Sequence, residues 1–199
     1  TLLDDNFFCC PQWKRLLCEL QDTGKPFRFI QGLDIRLLNE EKAELLFRSK
    51  YCGDFIFAFD NIADRKIIER KLQLTRTYTD KRLKFYVFCG YDRTGRYDES
   101  FWEQDIRDTF ERIGILMKYH ALPYITRFSR YTESPYRGMY VTIARWCNQP
   151  SLFWKKSFRR FVTDQGENHS AYRYAADYEQ RFPYIAKYYD MNPIGGDRT

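Results

Sequence analysis

The sequence predicts an α/β fold: a partial (β/α) barrel of TIM-like type, or an open parallel sheet, with a helical C-terminal extension. Three observations predict it. Short apolar runs rich in β-branched and aromatic residues alternate with stretches long enough for one helix, which is typical of βαβ units. Strand starts near Phe27, Phe55 and Leu83 are 28 residues apart, a spacing that fits one strand, one helix and two short loops. Four of the runs end in an acidic residue, as active-site side chains at the carboxyl ends of parallel strands would.

The N-terminal part supplies two predicted strands and two helices. The first strand lies in the run 2–5. An apolar stripe at i, i+3, i+4 and i+7 predicts a helix over residues 11–21. The second strand is predicted over 27–34, and Asn39 is the predicted N-cap of the next helix. That helix is expected to end near residues 51–53.

Three further strands are predicted before residue 130. The third occupies 55–60, and Asp64 is the predicted N-cap of the helix that follows it. The fourth begins at Leu83, and a long helix over 98–118 connects it to a fifth strand over 122–128. Because five strands are fewer than the eight of a complete barrel, the barrel is predicted to be incomplete.

The pattern changes after residue 130. A polar loop over 131–137 is followed by helical patterns, so we predict a partial barrel over 1–130 and a helical extension packed on it over 131–199. The predicted helices of the extension span residues 138–146, 150–162 and 171–182.

Composition limits the class of protein. With 199 residues and 44% hydrophobic content, the chain is long enough to bury a substantial core and is not a disordered protein. The net charge of +6 leaves an anionic ligand open without requiring nucleic acid. The densest basic cluster has helical spacing and could bind nucleic acid or lie on an ordinary amphipathic helix. It comprises Lys155, Lys156, Arg159 and Arg160.

Cysteine and histidine usage argues against a metal site built by this chain. The six cysteines have no paired disulfide spacing, and a zinc motif is not found around His120 or His169. We therefore expect a reducing, cytoplasmic location, with no membrane span and no signal peptide. Since the chain starts at Thr1, within a run that reads as a strand, we also expect that an N-terminal portion is missing.

The acidic strand ends have two interpretations. One Asp after one strand is more often a turn former or an N-cap. Repetition over four strands favours a ring of side chains at one end of the sheet. The residues concerned are Asp5, Asp34, Asp60 and Asp92.

The second strand carries three polar side chains around Gly32. Gln31 and Asp34 could hydrogen-bond ribose hydroxyls or an amino group, and Arg36 could bind a carboxylate in bidentate fashion. A buried Asp34–Arg36 ion pair that stabilises the barrel end is the structural alternative, and the sequence favours neither. Glycine in a strand often marks a bulge or a close backbone approach.

Taken together and in order, these strands resemble the later strands of a radical S-adenosylmethionine (radical SAM) domain. The resemblance spans about residues 1–160, and the Gln-Gly-Leu-Asp string is its most specific element. The segments that carry it are 3–7 (LDDNF), 31–38 (QGLDIRLL), 57–61 (FAFDN), 87–92 (VFCGYD) and 136–148 (YRGMYVTIARWCN).

The resemblance implies a (β/α)6 barrel in which a CxxxCxxC loop holds a [4Fe-4S] cluster. The cluster cleaves S-adenosylmethionine to a deoxyadenosyl radical, which abstracts hydrogen from a substrate. By position, it implies cofactor contacts at Gln31, Asp34, Arg36, Asp60 and Asn61, adenine contacts at Gly90, Tyr91 and Asp92, and a substrate side at Asp5, Asn6 and Arg137.

The sequence departs from this family in three respects. The strand that carries the family's Gly-Gly-Glu contact is missing, and Asp60 stands where Glu is commoner, with a side chain one methylene shorter at the ribose contact. The third departure limits the expected function most. CxxxCxxC is absent, because Cys9, Cys10 and Cys18 have the wrong spacing and follow the wrong strand. We therefore expect a fragment of a radical SAM enzyme whose cluster comes from a missing N-terminal segment, inactive alone and with an unknown substrate. The alternative is a catalytically inactive, barrel-like module that binds nucleic acid, which we do not favour.

Overall fold

A computed structural model of the chain describes residues 1–3 and 6–193. It is an α/β structure, as predicted, and it divides into two compact units, Thr1–Tyr86 and Val87–Thr199. The three strands that the structure describes all lie before the predicted boundary at residue 130, which as a domain boundary stays a prediction. The predicted substrate-side residue Asp5 lies outside the described residues, as does Asp4.

The first unit alternates helices with parallel strand segments. Strand β1 pairs with the first half of β2 in parallel, from Phe55 opposite Leu83 to Ala58 opposite Tyr86. Short 3-10 helices at Phe7–Cys9, Ile35–Leu37 and Ile62–Asp64 connect these elements. The helices and strands are α1 (Trp13–Asp22), α2 (Glu40–Arg48), β1 (Phe55–Ala58), α3 (Arg65–Tyr78) and β2 (Leu83–Cys89), the last of which continues into the second unit.

The second unit is mainly helical. A third strand belongs to the same sheet, whose order is β1-β2-β3. Asp98 accepts the N–H of Phe101 and so begins the long helix where predicted. The elements are α4 (Glu99–Lys118), β3 (Ala121–Arg127), α5 (Arg137–Cys147), α6 (Pro150–Phe153), α7 (Phe158–Thr163), α8 (Ser170–Arg181) and α9 (Ala186–Tyr189).

The second predicted strand is present only as isolated parallel bridges. Phe27 pairs with Tyr51 and Leu33 with Phe57; each bridge joins residues 24 positions apart, so they share one register. Between them, the Tyr51 hydroxyl accepts the N–H of Phe29 at 2.9 Å and donates to its carbonyl at 3.2 Å. A side chain thus takes the hydrogen bonds that a neighbouring strand would make, which interrupts the ladder.

The first predicted strand is also reduced to a bridge. Leu2 pairs in parallel with Phe29. The Leu2 N–H donates to the Arg28 carbonyl at 2.9 Å, and the Leu2 carbonyl accepts the Ile30 N–H at 3.4 Å. The segment around Leu2, the segment 27–33, β1 and β2 therefore neighbour one another in chain order, all parallel.

The helix predicted over 150–162 is wrong as a single element, because α6 and α7 are separate helices. The fully buried Trp146 indole donates to the Lys156 carbonyl at 2.9 Å. Ser157 then caps α7 by accepting the N–H of Arg160. A buried indole N–H needs a hydrogen-bond acceptor. The Lys156 carbonyl, which lies between α6 and α7, is that acceptor.

Candidate functional site

A polar cavity of about 420 Å³ lies in the first unit, where its strand segments end. It brings together four of the residues that the sequence predicts for cofactor contact, together with Asn6. Gln31 is exposed and does not line it. The lining residues are Asn6, Gly32, Asp34, Arg36, Ala58, Phe59, Asp60, Asn61, Asp64 and Ile68.

The backbone explains why these side chains converge. Leu33 donates its N–H to the Ile56 carbonyl at 2.9 Å, and Phe59 donates to the Tyr86 carbonyl at 2.9 Å. Each hydrogen bond joins the end of a strand segment to its neighbour. Asp34 and Asp60 are the residues that follow Leu33 and Phe59. Carboxyl ends of parallel strands meet at one edge, which places both carboxylates at the cavity.

Gly32 is required by packing between these segments. A Cβ at this position would lie 3.2 Å from both the carbonyl carbon and the oxygen of Phe57. The close backbone approach that a glycine in a strand suggests is therefore the approach of β1 to Gly32. This approach brings the ends of the two strand segments together.

Arg36 is engaged by two carboxylates of the chain itself. Its Nε and Nη2 donate to the two oxygens of Asp34 at 2.9 and 2.8 Å, and its Nη1 donates to Asp64 at 3.1 Å. Hydrogen bonding to Arg36 holds the pKa of the Asp34 carboxyl below its ordinary value, and the same pair raises the pKa of Arg36. The structure thus contains an Asp34–Arg36 ion pair, but the pair is not buried as the alternative predicted, because the Arg36 side chain is 49% exposed.

Asp64 occupies the predicted N-cap position of α3, but its side chain does not cap the helix. Instead, Asn61 accepts the N–H of Ala63 at 2.9 Å and caps the 3-10 turn that leads into the helix. Asp64 is committed to Arg36, and the cap fixes the orientation of the Asn61 side chain at the cavity wall.

The charge of the cavity favours a cationic or hydroxyl-bearing ligand. Three carboxylates, Asp34, Asp60 and Asp64, line it with one guanidinium, that of Arg36, which leaves a net negative charge. Carboxylate oxygens accept hydrogen bonds from hydroxyl and ammonium groups. A second cavity, of about 400 Å³, is lined mainly by apolar side chains such as Leu16 and Leu20, with the single carboxylate of Glu19.

The remaining predicted residues belong to the second unit. Gly90 ends β2 with φ of +76°, and Tyr91 is 48% exposed. Asp92 accepts the N–H and the hydroxyl of Thr94, at 3.2 and 2.6 Å, and these bonds lower its pKa. It therefore forms the turn that follows the strand. Arg137, the first residue of α5, is exposed.

Sequence reasoning missed a buried polar cluster beneath Gly90. Asp105 accepts the Gly90 N–H at 2.8 Å and the Tyr140 hydroxyl at 2.7 Å, both at Oδ2. Arg112, 2% exposed, donates to the Phe88 carbonyl at 2.8 Å. The signal was present in the sequence, because Asp105 and Arg112 share a helical stripe with buried Trp102, at i+3 and i+10.

The basic cluster of the second unit is largely neutralised. Lys156 pairs with Asp164 at 2.7 Å, and Arg159 makes a bidentate pair with Glu179 at 2.9 and 2.8 Å. Arg160 lies 3.9 Å from Asp164. Charges that are paired in this way attract phosphate less strongly, so the cluster gives little support to nucleic-acid binding.

Metal ligands are not assembled in the part of the chain that the structure describes. Within residues 1–3 and 6–193, no group of three or more His, Cys, Asp or Glu side chains is arranged to hold a metal ion. No helix in these ranges is both long and apolar enough to cross a membrane.

No family model, curated protein or solved structure matches this chain. What the site can bind therefore has to follow from its own geometry and chemistry.

Proposed function

We propose that this chain is the S-adenosylmethionine-binding part of a radical SAM enzyme, which abstracts hydrogen from a substrate not yet identified. The observation that carries the proposal is the acidic cavity, where Asp34, Asp60 and Asn61 meet at the ends of consecutive parallel strand segments.

The strand order supports a barrel-type unit. Four parallel segments of the first unit neighbour one another in chain order, from Leu2 to β2. A doubly wound sheet reverses its strand order at a switch point, whereas a β/α barrel adds each strand beside the last. The consecutive order therefore favours the later part of a radical SAM barrel over a doubly wound sheet.

The charge of the cavity suits this cofactor. S-adenosylmethionine carries a sulfonium and an ammonium group, and its ribose offers two hydroxyl donors. Asp60 and Asn61 would be the ribose contacts, with Asp34 held in place by Arg36. Since Arg36 is already paired with two carboxylates, we assign it a positioning role and not the binding of the cofactor carboxylate.

The described residues do not fit a [4Fe-4S] cluster. CxxxCxxC is absent from the chain, and no group of metal ligands is assembled among residues 1–3 and 6–193. We therefore derive no step through a cluster from these residues and propose that its ligands come from a segment outside this chain.

Titration of the chain with S-adenosylmethionine, followed by calorimetry and amide NMR, tests the proposal. We expect saturable binding with shifts at residues 59–61. Asp60→Asn should raise the Kd about 10- to 100-fold, since a hydrogen bond to a charged group contributes about 1.5–3 kcal/mol. S-adenosylhomocysteine, which lacks the sulfonium charge, should bind more weakly.

Asp54→Asn is the matched control. Asp54 pairs with Arg82 at 3.0 Å and does not line the cavity, so Asp54→Asn makes the same change of side chain in the first unit without touching the site. Absence of saturable binding, or equal effects of Asp54→Asn and Asp60→Asn, would contradict the proposal. For the gene product that contains this chain, anaerobic iron and sulfide reconstitution should yield deoxyadenosine from S-adenosylmethionine.

A further inference from the structure

The loops that follow β2 and β3 lie side by side in the second unit. The Phe128 N–H, just after β3, donates to the Cys89 carbonyl at the end of β2 at 2.9 Å. A Cβ at Gly90 would lie 3.2 Å from the Cβ of Tyr131. The two loops therefore form one surface, which we call the Tyr91 surface. Its aromatic and basic residues are Phe88, Tyr91, Arg93, Arg96, Tyr97, Arg127, Phe128, Arg130 and Tyr131.

Tyr91 places a partly exposed aromatic ring on this surface. Its centroid lies 5.1 Å from that of Phe128, with the planes at 79°, and 5.8 Å from that of Phe88. Phe88 and Phe128 also contact each other, with their centroids 6.1 Å apart. These neighbours hold the Tyr91 ring in place, although Tyr91 is 48% exposed. A ring that is both fixed and exposed is suited to stacking on a planar base.

Arginines lie over two further rings of the Tyr91 surface. The guanidinium carbon of Arg127 is 4.5 Å from the ring centroid of Tyr131, and that of Arg130 is 4.0 Å from the ring centroid of Tyr97. At these distances the cation is attracted by the face of the ring. A guanidinium that a ring holds in this way can still donate its N–H groups to a phosphate.

The positive charge of the Tyr91 surface is only partly neutralised. Its two loop segments, 90–97 and 127–133, contain four arginines and two carboxylates, those of Asp92 and Glu133. Within residues 1–3 and 6–193, Arg130 alone of the four forms an ion pair, with Glu133 at 2.7 Å. The exposed arginines that remain are Arg93, Arg96 and Arg127.

These features together match the chemistry of a single nucleic-acid strand. Solvation alone would account for three arginines on exposed loops, but not for their arrangement among aromatic rings that neighbours hold in place. A single strand offers phosphates to the arginines and unstacked bases to the rings at the same time. In a duplex the bases are already stacked on one another, so they are not open to Tyr91.

We propose that the Tyr91 surface binds single-stranded nucleic acid, with Tyr91 stacked on a base and with Arg93, Arg96 and Arg127 in contact with phosphates. This surface is separate in sequence from the basic cluster 155–160, whose charges are largely paired. The inference does not rest on the proposed function, because the residues that carry it all belong to the second unit, whereas the acidic cavity is lined by residues of the first.

Fluorescence anisotropy of the full chain with labelled oligo(dT) and oligo(U) of about 15 nucleotides, over about 50–200 mM salt, tests the inference. We expect saturable binding whose log K falls with log salt at a slope of about −2, since each of three phosphate contacts contributes about 0.7. Tyr91→Ala should raise the Kd about 5- to 150-fold with the slope unchanged, because it removes stacking and not charge. Arg127→Gln should reduce the slope by about 0.7, and it serves if Tyr91→Ala does not fold.

Tyr174→Ala and Arg145→Gln are the matched controls. Tyr174 is 43% exposed on α8, and Arg145 is exposed on α5; both belong to the second unit and lie outside the two loops. Each control should leave the Kd and the slope nearly unchanged. Absence of saturable binding by the wild-type chain, equal affinity for a duplex of the same length, or equal effects of Tyr91→Ala and Tyr174→Ala would overturn the inference. None of these outcomes depends on S-adenosylmethionine, so the two proposals fail separately.

Discussion

Replacing Tyr51 with phenylalanine should loosen the strand segment that ends at Asp34. The Tyr51 hydroxyl satisfies both backbone groups of Phe29, a residue that is 1% exposed. Tyr51 is itself buried, which raises its pKa to about 12. Phenylalanine preserves the ring contacts but leaves a buried N–H and a buried carbonyl without this partner.

The expected cost follows from those two groups. Each buried group left unsatisfied costs about 1–3 kcal/mol, so Tyr51→Phe should destabilise the first unit by roughly 2–6 kcal/mol. For a chain of this size, about 2–4 °C is lost per kcal/mol, which predicts a decrease in Tm of about 4–24 °C. Tyr86→Phe is the control, because it removes a bond to the half-buried Ile30 carbonyl at 3.1 Å, and it should cost about 1 kcal/mol.

Because the chain divides into two units, the assay needs a probe confined to the first. Exchange of the Phe29 amide is such a probe, and it should accelerate about 30-fold or more, the equivalent of 2 kcal/mol or above. Urea unfolding followed by circular dichroism gives the global value. A Tyr51→Phe protein with the stability and Phe29 protection of Tyr86→Phe would refute the argument that a side chain replaces the strand ladder here.

Two further predictions concern the cavity. Because the pKa of Asp34 is lower in the folded state than its ordinary value of 3.8, its carboxylate stabilises the fold above that value. This contribution is lost as the pH falls through the folded pKa. The difference in urea midpoint between wild type and Asp34→Asn should thus be constant near neutral pH and should vanish in acid; a difference that grows in acid would contradict the sign. Gly32→Ala should destabilise the first unit by about 1–3 kcal/mol in urea unfolding, since the added Cβ meets the Phe57 backbone at 3.2 Å; a neutral substitution would show that the two strand ends can move apart.

The periodicity of apolar residues predicted most elements of the fold, because it follows which side chains are buried. β1, β2 and β3 and the helices between them follow the apolar pattern within a few residues. Two of the failures have a common cause, a polar group on a buried ring that takes a backbone partner. The Tyr51 hydroxyl breaks up the second predicted strand, and the Trp146 indole uses a carbonyl between α6 and α7. Neither hydrogen bond can be predicted from the periodicity of apolar residues, because tyrosine and tryptophan are counted there as apolar.

The candidate site was predictable to the extent that strand ends define it. Asp34, Asp60 and Asn61 come together because each follows a parallel strand segment. Asp105 could not be placed in the same way, because it lies on α4 and acts on β2 through tertiary packing. Its position on a buried stripe could have identified Asp105 as an internal group. The pattern does not identify the Gly90 N–H, from which Asp105 accepts a hydrogen bond.

The roles of Arg36 and Asp64 follow from the spacing of the units. Phe55 pairs with Leu83, 28 residues later. Two ion pairs have the same separation, Arg36 with Asp64 and Asp54 with Arg82. A charge on one β/α unit thus finds its partner 28 residues later in both pairs, although the strand bridges between the segments 27–33 and 51–57 join residues 24 apart. Asp64 looks like an N-cap only when its own helix is considered alone. With the period taken into account, it is the second carboxylate of Arg36, and the guanidinium serves to hold the two β/α units together at the cavity.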